Sequence, residues 1–306
     1  MFFKDLLNKI ENYYNKPEML ITTFLRKYGF FIPDKLFLSI YYKLKFGKRL
    51  NLKNPKSFNE KLQWLKLYDR CPEYVDLADK YKVKNHIEKI IGKEYLAELL
   101  GVWDCFDEIN FDNLPNKFVL KVNHTSGGVV VCKDKDKLDL SLLKIKFNKM
   151  LKTNYFYAFR EYPYKEIKPK IFAEQLLENE EENLIVYKVF VFNGKPKIIQ
   201  VIQNDKQINE SIDYYDPEWN LLDLRQNYPN SDNHLSKPNL LGNMLDKSMI
   251  LSQNLPFIRV DWYIVNNKLY FSEFTFYSDS GFAKFYPDKW DEILGSYLEL
   301  PMNKVV

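Results

Sequence analysis

Four side chains near the C-terminal end of the sequence have the types and spacing of a phosphate and metal site. Arg259 and Asp261 lie two positions apart in an apolar stretch, and so do Glu273 and Thr275. If the stretches are strands joined at Asn266-Asn267, the four side chains share one sheet face. Buried carboxylates need a cation beside them, and their hard oxygen ligands suit Mg²⁺. A guanidinium can hold a phosphate through two hydrogen bonds. The alternative is a solvated sheet face with cross-strand ion pairs.

A lysine beside a glycine-containing loop is the second candidate. Lys121 lies in a predicted strand at 118–122, and a returning strand is predicted at 129–132. The small residues of the loop between them are Thr125, Ser126, Gly127 and Gly128. Backbone N–H groups of such a loop can surround a phosphate, and the lysine adds a positive charge. The alternative is an ordinary hairpin turn whose lysine reaches into water. His124 is interpreted as a hydrogen-bonding or surface residue rather than a base.

An acid inside an apolar strand is the third candidate. Glu174 lies in the predicted strand 171–177 and is followed by Gln175, Leu176 and Leu177. A nucleotide base could bond to backbone groups here, and the acid could take ribose hydroxyls or an amino group. The alternative is a strand edge with a surface acid.

Other motifs argue against several enzyme classes. The sequence contains no G-x-x-x-x-G-K-[ST], no kinase catalytic loop or Asp-Phe-Gly, and none of G-x-S-x-G, H-E-x-x-H and G-x-G-x-x-G. Asp134 and Asp136 match the D-x-D pattern of many glycosyltransferases. Because they lie in a run of charges, we interpret them as a solvated loop.

The elements that must position these residues alternate between helices and antiparallel hairpins, which predicts the α+β class. Helices are predicted at 1–16, 34–46, 58–69, 76–90, 141–151, 240–253 and 288–299. Further strands are predicted at 184–192, 195–203, around Trp219, at 258–265 and at 268–276. Ser57 and Glu60 resemble a capping box, and Asn193-Gly194 favours a tight hairpin turn. We expect a basic helical region at 1–70, a small subdomain at 71–170 that carries the phosphate loop, and a large subdomain at 171–306 that carries the metal-binding hairpin.

Composition indicates a globular cytoplasmic protein. Hydrophobic residues make up 46% of the 306 residues and charged residues 28%. No apolar run approaches a membrane span, and the three cysteines form no CxxC, which favours a reducing compartment. The net charge of +4 hides an excess in residues 1–66, where 14 Lys or Arg face 5 Asp or Glu. This region could bind an acidic glycan or its lipid carrier at the inner membrane face; alternatively, it is a packed helical unit with its lysines in water.

Taken in order, these segments resemble the ATP-grasp fold, in which two α+β subdomains grip ATP, here with a helical N-terminal region added. The stretch 118–128 resembles that family's nucleotide-binding lysine and flexible phosphate loop, and 174–177 resembles its adenine-binding hinge. Lys80 is placed like the second phosphate lysine, with Lys82 and Lys84 as alternatives. The sequence departs from the family at Thr275, where Asn is common.

Within ATP-grasp proteins, the sequence is most similar to the TupA-like branch, which is associated with cell-surface polysaccharide assembly. The similarity spans about residues 50–300 and rests on four motifs in order, at 54–62, 121–128, 187–194 and 273–275.

The resemblance implies a ligase that forms an amide through an acyl phosphate. ATP and two Mg²⁺ are the implied cofactors, with Asp261 and Glu273 as metal ligands and Lys80, Lys121 and Arg259 around the phosphates. Lys188 and the loop 278–281 would hold substrate. The implied partners are a small amine, such as an amino acid or amino alcohol, and a carboxylate-bearing sugar or glycan, such as a uronic acid of a capsule polysaccharide. The alternatives are a glycosyltransferase, a sugar kinase on the same fold, and a nucleic-acid binder; we expect no nucleic acid.

Overall fold

Two antiparallel sheets with helices packed against them make up the described part of the chain. This computed structural model describes residues 17–179, 184–205 and 207–302. The helices are α1 Pro17–Tyr28, α2 Asp34–Phe46, α3 Phe58–Tyr68, α4 Glu73–Ala78, α5 Val83–Ile91, α6 Leu140–Leu151, α7 Phe156–Phe159, α8 Leu241–Leu251 and α9 Lys289–Tyr297. The strands are β1 Leu99–Trp103, β2 Phe118–Val122, β3 Val129–Cys132, β4 Ile171–Gln175, β5 Val186–Phe192, β6 Lys195–Gln203, β7 Ser211–Tyr215, β8 Phe257–Val265 and β9 Lys268–Thr275. The predicted α+β class is confirmed.

The strands are divided between two sheets. The four-stranded sheet has the order β1-β4-β2-β3, and the five-stranded sheet has the order β7-β6-β5-β8-β9. All neighbouring strands are antiparallel. The division into 1–70, 71–170 and 171–306 stays a prediction, and β4 pairs with β1 and β2 across its second boundary.

Each sheet has its own apolar core, and the N-terminal helices have a third. The large core joins the five-stranded sheet to α3, α4, α5, α8 and α9. A smaller core joins the four-stranded sheet to α6. The third core joins α1 and α2 to Phe282, which follows β9 in sequence. Within the described ranges, no helix has both the length and the apolarity to cross a bilayer.

Local signals explain where several elements begin and end. Helix α3 starts at the predicted capping box, in which the Ser57 hydroxyl accepts from the Glu60 N–H and the Glu60 carboxylate accepts from the Ser57 N–H. Helix α2 ends at Gly47, whose φ of 70° is left-handed. Asn266 and Asn267 have φ values of 48° and 55°, as a tight hairpin turn between β8 and β9 requires.

Two predicted elements were wrong. The helix expected at 76–90 is two helices, because the Asp79 carboxylate accepts from the backbone N–H groups of Tyr81 and Lys82 and starts a new turn. The strand expected around Trp219 lies at Ser211–Tyr215 instead. Trp219 itself has a φ of 75°, and its N–H donates to the Asp216 carbonyl, so it lies in a turn. The helix predicted at 1–16 lies outside the described residues.

Candidate active site

A cavity of about 540 Å³ opens between residues of the two sheets. It brings together most of the side chains that the sequence singled out. Those on its wall are Lys80, Lys121, Ser126, Gly127, Glu174, Gln175, Leu176, Leu177, Lys188, Arg259, Asp261, Glu273 and Thr275. Thr125 and Gly128 are not on the wall; both are buried within the loop. Strand β4 ends at Gln175, so Leu176 and Leu177 border the cavity from the segment that follows it rather than from a strand.

The β8–β9 hairpin supplies one of the charge clusters of the cavity. Its register pairs Asp261 with Glu273 and Arg259 with Thr275. The Arg259 guanidinium donates two hydrogen bonds of 2.8 Å to the Asp261 carboxylate. Lys188, on the neighbouring strand β5, lies opposite Asp261, with 3.8 Å between its Nζ and Asp261 Oδ2.

The two carboxylates of this hairpin differ in environment. Asp261 is 2% exposed, and burial raises its pKa, against the opposing charges of Arg259 and Lys188. Glu273 keeps 29% of its side chain exposed, and its Oε2 lies 2.8 Å from Lys80 Nζ. Burial alone would raise its pKa, but Lys80 and Arg259 outweigh burial and lower the pKa to about 2. Glu273 is therefore firmly ionised at neutral pH.

The donor set at this hairpin fits a magnesium ion that is shared with a phosphate. Mg²⁺ in phosphate-handling sites takes one or two carboxylates and completes its shell with phosphate oxygens and water. Asp261 and Glu273 offer such a pair, and the Thr275 hydroxyl borders the same cavity. Within the described residues, no group of three or more His, Cys, Asp or Glu side chains could form a cage for a metal. A site shared with a phosphate is thus better supported than an all-protein one.

Glu174 is the corresponding acid of the four-stranded sheet. Its carboxylate is in ion pairs with Lys121 from β2 and Lys84 from α5, the latter at 2.8 Å. Burial opposes ionisation, but these two lysines outweigh it and lower the pKa of Glu174. The sequence suggested Lys84 only as an alternative to Lys80 for the second phosphate-binding lysine. The structure gives the two lysines different acids, because Lys80 pairs with Glu273.

The predicted substrate loop 278–281 reaches the cavity, where Ser280 joins a polar cluster with two residues that sequence reasoning missed, Glu161 and Lys66. Glu161 is buried on the cavity wall, and Ser280 Oγ donates to its Oε1 at 2.5 Å. Lys66 lies behind them, fully buried, and its Nζ donates to Ser280 O at 2.6 Å, Phe159 O at 2.9 Å and Gln63 Oε1 at 3.1 Å. Three acceptors match the three N–H donors of an ammonium, although burial lowers the pKa of Lys66. No local pattern marks this cluster, since its members are up to 214 residues apart in sequence.

The loop that carries Ser280 is held in an unusual backbone conformation. Asp279, Ser280 and Gly281 all have left-handed φ values, of 47°, 55° and 64°. Arg259 Nη1 donates to Ser278 Oγ at 3.3 Å, which ties the loop to the β8–β9 hairpin. Asp279 and Ser280 line the cavity. Consecutive strained residues persist only where the surroundings fix them, and such strain concentrates at functional sites.

Two other candidates lie away from this chemistry. The Asp134 side chain accepts from the Asp136 N–H and pairs with Lys137, and neither acid is on the cavity wall. His124 is buried, its ring nitrogens contact Asn123 Oδ1 and Met150 O, and burial lowers its pKa. The interpretation of His124 as a hydrogen-bonding residue agrees with these contacts.

One comparison with known proteins identifies a family that covers most of this chain. The sequence model of the TupA-like ATP-grasp family matches residues 60–299. No curated protein matches the chain. The D-alanine–D-alanine ligase of Bacillus anthracis in complex with ATP is 18% identical, with 65% of this chain and 54% of that chain covered and a TM-score of 0.39. The Helicobacter pylori D-alanine–D-alanine ligase is 16% identical, with 79% of this chain and 69% of that chain covered and a TM-score of 0.40. A RimK domain ATP-grasp protein of Sphaerobacter thermophilus is 11% identical, with 76% of this chain and 70% of that chain covered and a TM-score of 0.42. The chain thus spans about half the length of the first of these ligases.

Proposed function

The chain belongs to the TupA-like ATP-grasp family, and on this premise we propose that it is an ATP-dependent ligase that joins a carboxylate to an amine. The observation that carries the proposal is the register of β8 and β9. It sets Asp261 beside Glu273 and next to Arg259, in one cavity with Lys121 and Glu174 from the other sheet.

The nucleotide is proposed to lie against the four-stranded sheet. Leu176 and Leu177 would border the base, Glu174 would accept from ribose hydroxyls or the amino group, and Lys121 would contact phosphate. Glu174 can do this because Lys84 and Lys121 keep it ionised. Ser126 and Gly127 lie on the cavity wall, where their loop can cover the phosphates and exclude water.

The phosphates are proposed to reach the β8–β9 hairpin. Here Asp261 and Glu273 would hold Mg²⁺, with the Thr275 hydroxyl beside them. The bound ions would neutralise the negative charge that moves with the transferred phosphoryl group. Arg259, which now donates both hydrogen bonds to Asp261, would turn its guanidinium to a phosphate oxygen when Asp261 takes the metal.

The reaction then has two steps. A carboxylate oxygen of the substrate attacks the γ-phosphorus, ADP leaves, and an acyl phosphate forms. The amine attacks the acyl carbon, phosphate leaves, and the nitrogen loses a proton. Lys188 is proposed to hold the carboxylate, and its position on β5 opposite Asp261 supports this. Glu161 is proposed to take the proton, which its burial on the cavity wall and the raised pKa that follows from burial support.

The substrates are proposed from the family rather than from the geometry. TupA-like proteins are associated with cell-surface polysaccharides, so we assign a uronic acid of a capsule-type glycan as the carboxylate and an amino acid or amino alcohol as the amine. This assignment places the enzyme in the cytoplasm, where ATP is available. A glycosyltransferase is less well supported, because Asp134 and Asp136 lie off the cavity.

Thermal unfolding with and without Mg-ATP tests the nucleotide site. ATP at ~100 times its Kd should stabilise the wild type by about 2.7 kcal/mol. The shift should vanish in Asp261→Asn with Glu273→Gln and persist in Asp134→Asn with Asp136→Asn. A shift with a nucleotide-sugar alone, or one that only the second pair of substitutions removes, would replace the ligase by a glycosyltransferase.

A trapping assay tests the reaction itself. With uronic acids and ATP, hydroxylamine should convert the acyl phosphate to a hydroxamate, because it is an uncharged nucleophile at neutral pH. Glu161→Gln should keep hydroxamate formation while it loses amide formation with ordinary amines by about 10²-fold or more. If Glu161→Gln loses both products equally, Glu161 has no role in proton removal.

A further inference from the structure

An exposed apolar face on the N-terminal helices has no role in the reaction described above. It consists of side chains that point away from the third core, and we name it the aromatic patch: Leu20, Ile21, Phe24, Tyr28, Phe30 and Phe31. Phe24 is 60% exposed, Phe30 63% and Phe31 72%. The opposite face of α1 already packs on the core through Leu25. Helix α1 therefore has apolar residues on both faces, whereas a surface helix ordinarily turns polar residues to water.

The tip of the patch is held rigidly. Phe30 and Phe31 lie in the short turn between α1 and α2, and their rings contact each other edge to face. Arg160 is fully buried beneath this turn, and its Nη2 donates to Gly29 O at 2.6 Å and to Ile32 O at 3.2 Å. The backbone of this turn thus holds two phenyl rings in water. Their exposure raises the free energy of the protein unless another apolar surface covers the rings.

The charges around the patch are positive. Arg26, Lys27 and Lys35 are exposed beside it. Of the two acids between residues 17 and 46, Asp34 is already in an ion pair with Arg70, which leaves Glu18 as the acid exposed to water. A protruding apolar tip ringed by lysines and arginines matches the interface of an anionic bilayer, where rings enter the acyl boundary and cations meet the headgroups.

The patch is also close to the reaction in the chain. Arg160, which fixes the turn, is followed directly by Glu161 on the cavity wall. Phe282, which packs with α1 and α2, follows the strained loop that lines the cavity. A surface that docks through the patch would therefore lie next to the elements that shape one side of the cavity.

From this arrangement we infer that the aromatic patch docks the enzyme on an anionic membrane surface, with Phe30 and Phe31 as the inserted side chains. The inference goes beyond the ligase reaction, and it brings the enzyme to substrates carried on lipid. The docking is peripheral and depends on both ring burial and headgroup charge.

Vesicle sedimentation of the full chain tests the inference. Vesicles of phosphatidylcholine with phosphatidylglycerol should bind the protein, and vesicles of phosphatidylcholine alone should bind it more weakly. Phe30→Ser with Phe31→Ser should lower the partition coefficient at least about tenfold. Lys27→Gln with Lys35→Gln should lower it about fivefold per charge on the anionic vesicles only.

The matched control is Leu142→Ser with Ile145→Ser on α6, two apolar residues that are 63% and 67% exposed. This variant should bind like the wild type. The inference is overturned if the wild type does not bind anionic vesicles, or if the control loses as much binding as Phe30→Ser with Phe31→Ser. It is also overturned if gel filtration shows a dimer that only the Phe30 and Phe31 substitutions dissociate, because a second copy then covers the patch. The Mg-ATP stabilisation in solution should be the same in all these variants, so failure of docking and failure of the ligase proposal are distinguishable.

Discussion

The two sheets hold their acids at the cavity in different ways. On the four-stranded sheet, Glu174 is held by two lysines that come from different segments, β2 and α5. On the five-stranded sheet, Asp261 is held by Arg259 from the same strand, two positions away. The first arrangement depends on long flexible side chains that can follow a ligand, whereas the second is fixed by the two-residue spacing within one strand and a planar guanidinium. We therefore expect substitutions at the second site to cost more stability.

The largest effect is expected for Arg259→Met. Asp261, which is 2% exposed, would keep only Lys188, 3.8 Å away, as an opposing charge, and a buried carboxylate that loses its hydrogen-bonded partner costs roughly 3–5 kcal/mol. The free energy of unfolding by urea measures this loss. Adding Asp261→Asn to Arg259→Met should recover part of it, since the buried carboxylate charge is then gone; no recovery would contradict the explanation by charge.

Glu174→Gln is expected to cost roughly 2–3 kcal/mol, because it leaves two partly buried ammonium groups without their shared anion. The matched variant is Lys84→Met with Glu174→Gln. It removes one of the two facing cations and should be more stable than Glu174→Gln alone in the same urea titration. If Glu174→Gln lowers the free energy of unfolding as much as Arg259→Met does, the two sites do not differ in the way described.

The phosphate loop allows a comparison of two neighbouring glycines. A Cβ on Gly128 would lie 2.2 Å from Val122 Cγ2, so Gly128→Ala should cost about 2 kcal/mol and displace the loop. Gly127 has a φ of 79° but open space around it, so Gly127→Ala should cost only the strain of a left-handed alanine, about 1 kcal/mol. Thermal unfolding of the two variants measures the difference, and equal losses would show that packing against Val122 is unimportant.

The smallest expected effect is a loss of stability at acidic pH. The pKa of Glu273 falls from 4.5 to about 2 on folding, so its contribution to stability is present above pH 4.5 and is lost as the pH falls toward 2. Between about pH 4.5 and 3.5 we expect the wild type to lose up to about 1 kcal/mol more than Glu273→Gln, since solvent in the cavity screens the ion pair with Lys80. Urea titrations at the two pH values measure this difference. Parallel losses would show that Glu273 gains nothing from Lys80 in the folded state.

Contacts between residues close together in the sequence could be predicted for this site, whereas contacts between distant segments could not. The β8–β9 hairpin could be predicted, and so could its register from the Asn turn as far as Trp262 opposite Phe271, because the turn is a local signal. The pairing of Asp261 with Glu273 could not, because the register shifts by one residue between Trp262 and Asp261. The split between α4 and α5 was missed, although Asp79 is a residue type that begins helices. The loop that carries Ser280 was named through the family resemblance, but its contacts with Glu161 and Lys66 could not have been found, because only tertiary packing brings three distant segments together. The prediction for Lys80 and Lys84 left alternatives open, since the two lysines are only four residues apart and are distinguished by the acids they contact on different sheets.

Lys80 and Lys84 also link the two walls of the cavity. Lys80 holds Glu273 of one sheet and Lys84 holds Glu174 of the other, four residues apart along the chain. Lys80 Nζ also donates to Thr125 O at 3.1 Å in the phosphate loop. The backbone from Lys80, in the turn between α4 and α5, to Lys84, in the first turn of α5, therefore acts as a spacer between the two walls. A phosphate that draws Lys80 from Glu273 would release one end of this spacer while Lys84 keeps the other, so the width of the cleft would change in response to nucleotide charge.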